Sequence, residues 1–383
     1  LTGTDVAGQA QTGTGKTAAF LLAMFTRLVN TPASPERRSS DPRALIVAPT
    51  RELALQIHDD AQVLGQFTGM NLGLAYGGTD YEKQRKIIED GVDVLIGTPG
   101  RLIDYLKQRV YSLKSIDAVI LDEADRMFDL GFIRDIRYLL RRMPAPDKRL
   151  NMLFSATLSQ RVLELAYEHM NDPELVRIEP DRVTADNVRQ VIYFPSNREK
   201  VPLLISLLKS MDPRRTMIFV NTKRTAEKLQ RTLVANDLEA QAISGDVPQR
   251  KRQRMLKEFQ SGSLPILIGT DVASRGLHVP EVSHVFNYDL PQDREDYVHR
   301  IGRTARAGAT GDAISLGCED YVATLPEIED YIGYKIPVAS IDTSTFEDVV
   351  TPPPPPRRSR GGRNGKRPPR SGGGGRRRSR SRN

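Results

Sequence analysis

Two tandem α/β domains, each a parallel sheet flanked by helices, followed by a tail that cannot form a core, are predicted by three observations. Along residues 1–345 short apolar runs alternate with amphipathic stretches, the pattern of parallel strands joined by helices. A polar interval at residues 176–187 splits that alternation into two series. Beyond residue 345, and most clearly after Val350, apolar residues give way to proline, glycine and arginine.

The first series opens with a short strand, Val6–Gln9, a glycine-bearing loop and the amphipathic stretch Thr17–Leu28. Strand-like runs follow at Ala44–Ala48, Leu72–Tyr76, Asp93–Gly97, Ala118–Leu121 and Met152–Phe154, with helical stretches such as Glu52–Leu64 and Ile133–Arg142 between them. Asn171-Asp172-Pro173 and the polar run Glu179–Asn187 read as a linker, giving a first domain at 1–175 and a second at 188–345. The second series places strands at Val191–Phe194, Thr216–Val220, Ala240–Ser244, Ile266–Gly269, His284–Tyr288 and Ala313–Leu316. The halves share architecture rather than sequence. At 383 residues the chain has ample material for two buried cores.

Composition narrows the class. Apolar content of 39% and charged content of 27% suit a globular protein, and no apolar run nears the roughly 18 residues of a membrane span. A single cysteine, Cys318, excludes an intramolecular disulfide framework and favours a reducing, cytoplasmic setting. The chain starts at Leu1 and is already entering the first strand, so it is expected to lack its N-terminal residues. Net charge is +8, but Thr351–Asn383 carries twelve Lys and Arg and no acid, which leaves −4 for the rest. That tail, 346–383 with its Pro352–Pro356 run, is expected to be disordered; its one-signed, Arg-rich charge favours an arm that holds RNA, the alternative being a solubilising tail. Its last 33 residues would reach roughly 30 Å from their root.

Two motifs carry phosphate chemistry. In Ala10-Gln11-Thr12-Gly13-Thr14-Gly15-Lys16-Thr17 the glycines let backbone N–H groups turn toward phosphate oxygens, and the following helix adds its dipole. Lys16 is placed to reach the outer phosphates and Thr17 to ligate Mg²⁺. Asp122-Glu123-Ala124-Asp125 ends a buried apolar run, where Asp122 can hold the Mg²⁺ water shell and Glu123 can orient or deprotonate water. ATP with Mg²⁺ is the implied cofactor. A third motif, His299–Gly308, lies in the other domain; on a helix its Arg303 and Arg306 would share a face.

With Pro49–Ala54, Gly77-Gly78, Thr98–Arg101, Ser155-Ala156-Thr157, Phe219–Thr222 and Thr270–Gly276 these motifs stand in the order found in DEAD-box RNA helicases of superfamily 2. The chain resembles that family over about residues 1–345. The resemblance implies two RecA-like domains and an RNA groove lined by Thr50, Arg51, Gly77, Gly78 and Arg101 in the first domain and Thr222, Gln249, Arg252 and Thr270 in the second. Singly, each of these could be a turn or a helix cap. Arg303 and Arg306 would be arginine fingers on closure, His299 and Arg300 would support the interdomain contact, and Ser155 and Thr157 would couple nucleotide state to closure.

Three departures bear on that transfer. The family's adenine-reading Gln segment lies upstream of the phosphate loop and is absent here. His278 stands where many relatives carry a ribose-contacting Asp, and Ala305 replaces a usual Gly, expected to be neutral on a helix. The implied activity is an RNA-dependent ATPase that unwinds short duplexes; the alternative is an ATP-gated RNA clamp with little strand separation. A narrower likeness to helicases of bacterial RNA-degrading assemblies implies an endoribonuclease scaffold as partner.

Overall fold

A computed structural model describes residues 3–353 apart from 11–13, 79, 178–186, 212–214, 275–281, 306–309 and 347. The expected Gln11, Thr12, Gly13, His278 and Arg306, and the tail from residue 354, lie outside the described residues.

The first lobe runs β1 (Val6–Gln9), α1 (Lys16–Asn30), β2 (Ala44–Val47), α2 (Arg51–Gly65), β3 (Leu72–Ala75), α3 (Tyr81–Asp90) and β4 (Val94–Gly97). It continues with α4 (Pro99–Lys107), β5 (Ala118–Leu121), α5 (Ala124–Asp129), α6 (Ile133–Leu140), β6 (Leu150–Ser155), α7 (Gln160–His169) and β7 (Glu174–Arg177). Its seven strands form one parallel sheet in the order β3-β4-β2-β5-β6-β1-β7.

The second lobe runs β8 (Val188–Tyr193), α8 (Lys200–Met211), β9 (Thr216–Phe219), α9 (Lys223–Ala235), β10 (Ala240–Ile243), α10 (Gln249–Gln260) and β11 (Ile266–Gly269). It ends with α11 (Asp271–Ser274), β12 (His284–Asn287), α12 (Arg294–Ile301), β13 (Gly311–Leu316) and α13 (Leu325–Ile332). Its parallel sheet has the order β10-β11-β9-β12-β13-β8.

The inner strands such as β2, β4, β5, β9 and β11 are buried on both faces, which is why they read as continuous apolar runs. Along β2, Leu45 and Val47 enter one core and Ala44 and Ile46 the other. In β9, Met217 and Phe219 face one way and Ile218 the opposite. Among the described residues no helix is long and apolar enough to cross a membrane.

Two boundaries differ from the sequence reading. Residues 176–177, expected to open the linker, belong with 174–175 to β7, which pairs with β1 and extends the first sheet. Short exposed strands at a sheet edge lack an apolar signature, so composition alone read them as linker. At the other end, residues 346 and 348–353 do not belong to a free tail. Phe346 and Val349 pack on the second lobe's core, Val350 exchanges two hydrogen bonds with the buried Asn236 side chain (2.9 and 3.0 Å), and Arg231 donates to the Pro353 carbonyl (3.4 Å).

Candidate nucleotide cleft and RNA groove

Gly15 caps α1 with φ of +82°, a left-handed conformation open to glycine, and turns the chain so that Lys16 is the first helical residue. The Lys16 ammonium lies 3.4 Å from Asp122 Oδ1 at the end of β5. Burial works against its charge, yet Asp122, Glu123 and Asp125 outweigh burial and hold its pKa above the ordinary value.

Asp122 is fully buried. Its N–H donates to the Val47 carbonyl (3.1 Å), its Oδ1 accepts from the Glu123 N–H (2.9 Å), and its Oδ2 has no hydrogen-bond partner among the described residues. A buried carboxylate oxygen left unpaired is costly, so this atom fits a group supplied from outside the chain. Among the described residues no cluster of three or more His, Cys, Asp or Glu side chains could hold a metal alone. The arrangement therefore suits a hydrated divalent cation shared with phosphate oxygens rather than a protein cage.

Glu123 caps α5 with φ of +53°, an uncommon conformation for a residue with a Cβ. Burial raises its carboxyl pKa, Asp122 raises it further, and Lys16 and Arg303 pull it back. Ser155, fully buried at the end of β6, accepts from the Asp125 N–H (3.2 Å) and so ties that strand to the acidic turn. Thr157 lines a cavity of 690 Å³ with Asp125 and Arg126 of the first lobe and Asp293, Asp296 and His299 of the second.

Three expectations about the segment after α12 are corrected. The helix ends at Ile301 with Gly302 as its cap, so Arg303 lies past it and is not on the helix that the shared face assumed. Arg303 is buried and donates to the His299 carbonyl (3.2 Å); burial lowers its pKa and Glu123 of the other lobe offsets this. Ala305 is not helical but sits at φ of +55°, where the family's glycine carries less strain. Arg300 does not bridge the lobes. It is fully buried within the second, paired with Asp271 (2.6 and 2.7 Å) and donating to Asn221 Oδ1 (2.9 Å) and the Asp289 carbonyl (2.5 Å). His299 does face the other lobe: burial lowers its pKa, and Asp125 and Glu123 act across the cleft against that shift.

A second cavity, of 630 Å³, gathers most of the expected groove. Thr50, Arg51, Gly77 and Arg101 line it from the first lobe, Gln249 and Arg252 from the second. Gly78 does not line it; its φ of +87° is one that residues with a Cβ rarely adopt, and a Cβ there would displace the Arg51 guanidinium. Thr222 and Thr270 are outside the lining. Thr50 and Thr222 cap α2 and α9, accepting from Leu53 N–H (3.3 Å) and Thr225 N–H (3.1 Å), so the cap reading holds for both. Arg101 stacks over the Tyr81 ring at 4.7 Å and bonds to Gln84 and Tyr105.

Sequence reading missed Glu52. Its carboxylate bridges the groove, 2.6 Å from Arg252 Nε and 3.1 Å from Gln249 Nε2, beside a bond from Arg51 to Gln249 Oε1 (3.2 Å). Its only signal was adjacency to Arg51 on the first turn of α2, where a carboxylate is ordinarily explained by the helix dipole.

Known proteins share this geometry. Residues 1–165 match the DEAD/DEAH box helicase family and residues 199–308 the helicase conserved C-terminal domain. The chain is 57% identical over 353 residues to the ATP-dependent RNA helicase RhlB of Vibrio vulnificus (strain CMCP6), covering 92% of this chain and 81% of that protein. It is 58% identical over 352 residues to RhlB of Erwinia tasmaniensis, covering 92% and 82%. Among solved structures, S. cerevisiae Dbp5 bound to RNA and ADP BeF3 matches with a TM-score of 0.77 and 33% identity, over 88% of this chain and 85% of that one. Mss116p bound to ssRNA and AMP-PNP matches with a TM-score of 0.76 and 29% identity, over 89% and 72%. The chain belongs to the DEAD/DEAH box helicase family.

Proposed function

We propose that the chain is an RNA-dependent ATPase whose two lobes complete one catalytic cleft, separating short RNA duplexes locally. The observation that carries this reading is a set of bonds between the lobes, Arg51 donating to Gln249 Oε1 (3.2 Å) and Arg252 lying 2.6 Å from Glu52, with Arg303 of the second lobe near enough to Glu123 of the first to favour its charged form. Glu52 meanwhile joins Gln249 and Arg252 across the groove. Ligands that bridge both lobes favour the same closed arrangement, so nucleotide and RNA reinforce one another's binding. The likeness to relatives bound to RNA and a nucleotide analogue supports the same reading.

In the cleft Lys16 would grip the outer phosphates, Glu123 would position the attacking water, and Arg303 and Arg306 would meet charge on the transferring phosphoryl group. Mg²⁺ would supply charge neutralisation there, held by Thr17 and, through water, by the unpartnered Oδ2 of Asp122. In the groove, Arg51, Arg101, Arg252 and Gln249 suit phosphate and sugar contacts, which hold a strand without reading sequence. The basic tail would raise local RNA concentration. A cytoplasmic setting in a bacterial RNA-degrading assembly, with an endoribonuclease scaffold on the second lobe, is supported by the likeness to RhlB helicases.

ATP hydrolysis by the full-length protein with and without RNA tests the reading. RNA stimulation is expected; equal rates in both conditions overturn it. Strand release at sub-stoichiometric protein separates a helicase from an ATP-gated clamp, which would hydrolyse ATP without displacing a strand.

A further inference from the structure

The second lobe repeats the plan of the nucleotide site. In the first lobe, six residues separate the end of β1 at Gln9 from Lys16, the first residue of α1; in the second, six separate the end of β8 at Tyr193 from Lys200, the first residue of α8. β1 and β8 hold the same place in their sheets, beside β6 and β13, and β5 and β12 correspond likewise. Beyond β5 stands Asp122, beyond β12 Asp289, each donating its N–H to the carbonyl that ends the neighbouring strand, Val47 (3.1 Å) or Phe219 (3.2 Å). Each aspartate faces the lysine of its own lobe.

The two sites then part. Lys16 and Asp122 stand 3.4 Å apart with one carboxylate oxygen unpartnered, whereas Lys200 and Asp289 are joined at 2.6 Å and Asp289 Oδ2 accepts from the Asn221 N–H (2.9 Å). In the loop between β8 and α8 the chain's own carboxylates accept two N–H groups: Glu199 from Ser196 (2.9 Å) and Glu319 from Asn197 (2.8 Å). The residue after Asp289 is buried Leu290, not a second acid.

We infer that this is a sealed counterpart of the nucleotide site, and that its buried Lys200–Asp289 pair is a positioning device for the reaction in the cleft. The inference rests on the function proposed above. Asp289 holds Asn221, Asn221 and Asp271 hold Arg300, and Arg300 lies three residues before Arg303. One bonded series therefore joins the ends of β9, β11 and β12 to the segment that carries Arg303. A buried ion pair contributes little net stability, because desolvation offsets attraction; its value here is geometric. Lys200 is a positioning residue, not a catalytic one.

The test is steady-state ATP hydrolysis by full-length Lys200→Met at saturating RNA, at a temperature well below the melting points of variant and wild type. Expected is a fall in kcat of about tenfold with KM for ATP changed less than about twofold, because the nucleotide grip lies in the other lobe. A kcat within about twofold of wild type, with only the melting point lowered, overturns the proposal. Should Lys200→Met not fold, Asp289→Asn, which keeps an acceptor for Asn221, is expected to give the same split, and an unaltered kcat in it overturns the proposal equally. Wild-type protein without RNA-stimulated hydrolysis would sink the underlying function instead, a result visible before any variant is made.

Discussion

The two lobes share a strand order and differ in what stands at the carboxyl edge of the sheet. In the first, buried Asp122 stands beside the half-buried Lys16 and Glu123, with a carboxylate oxygen that finds no partner among the described residues. In the second, the corresponding Lys200 and Asp289 satisfy each other, and Arg300 spends its guanidinium on Asp271, Asn221 and Asp289. Unsatisfied polar groups mark a place for chemistry, and fully satisfied ones mark a frame. Topology alone separates neither role, since β7 apart the strands follow the same order in both lobes.

That contrast can be broken most directly at Glu123. Glu123→Gln is expected to lower RNA-stimulated phosphate release by about a hundredfold or more while nucleotide binding persists. Unchanged release would remove the first lobe's claim to the chemistry. A smaller effect is expected in the groove. Arg51→Ala should raise the RNA concentration for half-maximal activation by roughly tenfold and reduce the salt dependence of RNA binding by about one phosphate contact, read from titrations at several ionic strengths. An unaltered salt slope would show that Arg51 serves only its bond to Gln249.

Removing residues 354–383 sharpens the comparison from outside. Cutting after Pro353 keeps the segment held by Asn236 and Arg231, so melting temperature and kcat at saturating RNA should be retained. RNA affinity should weaken and lose part of its salt dependence. Collapse of kcat would make the tail part of the catalytic apparatus.

The smallest expected effect concerns acid. Burial is the leading cause that lowers the pKa of His58, His169 and His284 below the ordinary 6.5. Below pH 6.5 the unfolded chain then binds more protons at these sites than the folded one, so stability falls as pH drops. Melting temperature should be level above about pH 7.5 and decline by a few degrees toward pH 5. His58 and His169 lie in the first lobe, and replacing both with Gln should flatten that decline more than replacing His284 alone. The opposite order would place the acid sensitivity in the second lobe.

Much of this was legible in advance. Parallel strands covered on both faces must be apolar throughout, so β2, β4, β5 and β11 stood out as runs. Lys16 and the acidic turn were legible as motifs because residues of particular type stand at close spacing, and the structure sets Lys16 beside Asp122. β7 was not, because an exposed edge strand carries no apolar pattern. Ala305 and Arg303 were misjudged because helical spacing was extended beyond the point where α12 ends.

By itself the sequence determined the two α/β lobes and the identity of the charged groups, since each depends on residue type and local spacing. Only the tertiary structure decided which charges are spent and which are left over. Lys16 and Lys200 are alike as residues, as are Asp122 and Asp289, but one pair keeps an unpartnered oxygen and the other closes on itself. Likewise Glu52 became a bridge to Gln249 and Arg252 only through the apposition of segments some two hundred residues apart, 197 for Gln249. Pairing of buried charge depends on distances through space, and no local pattern encodes those.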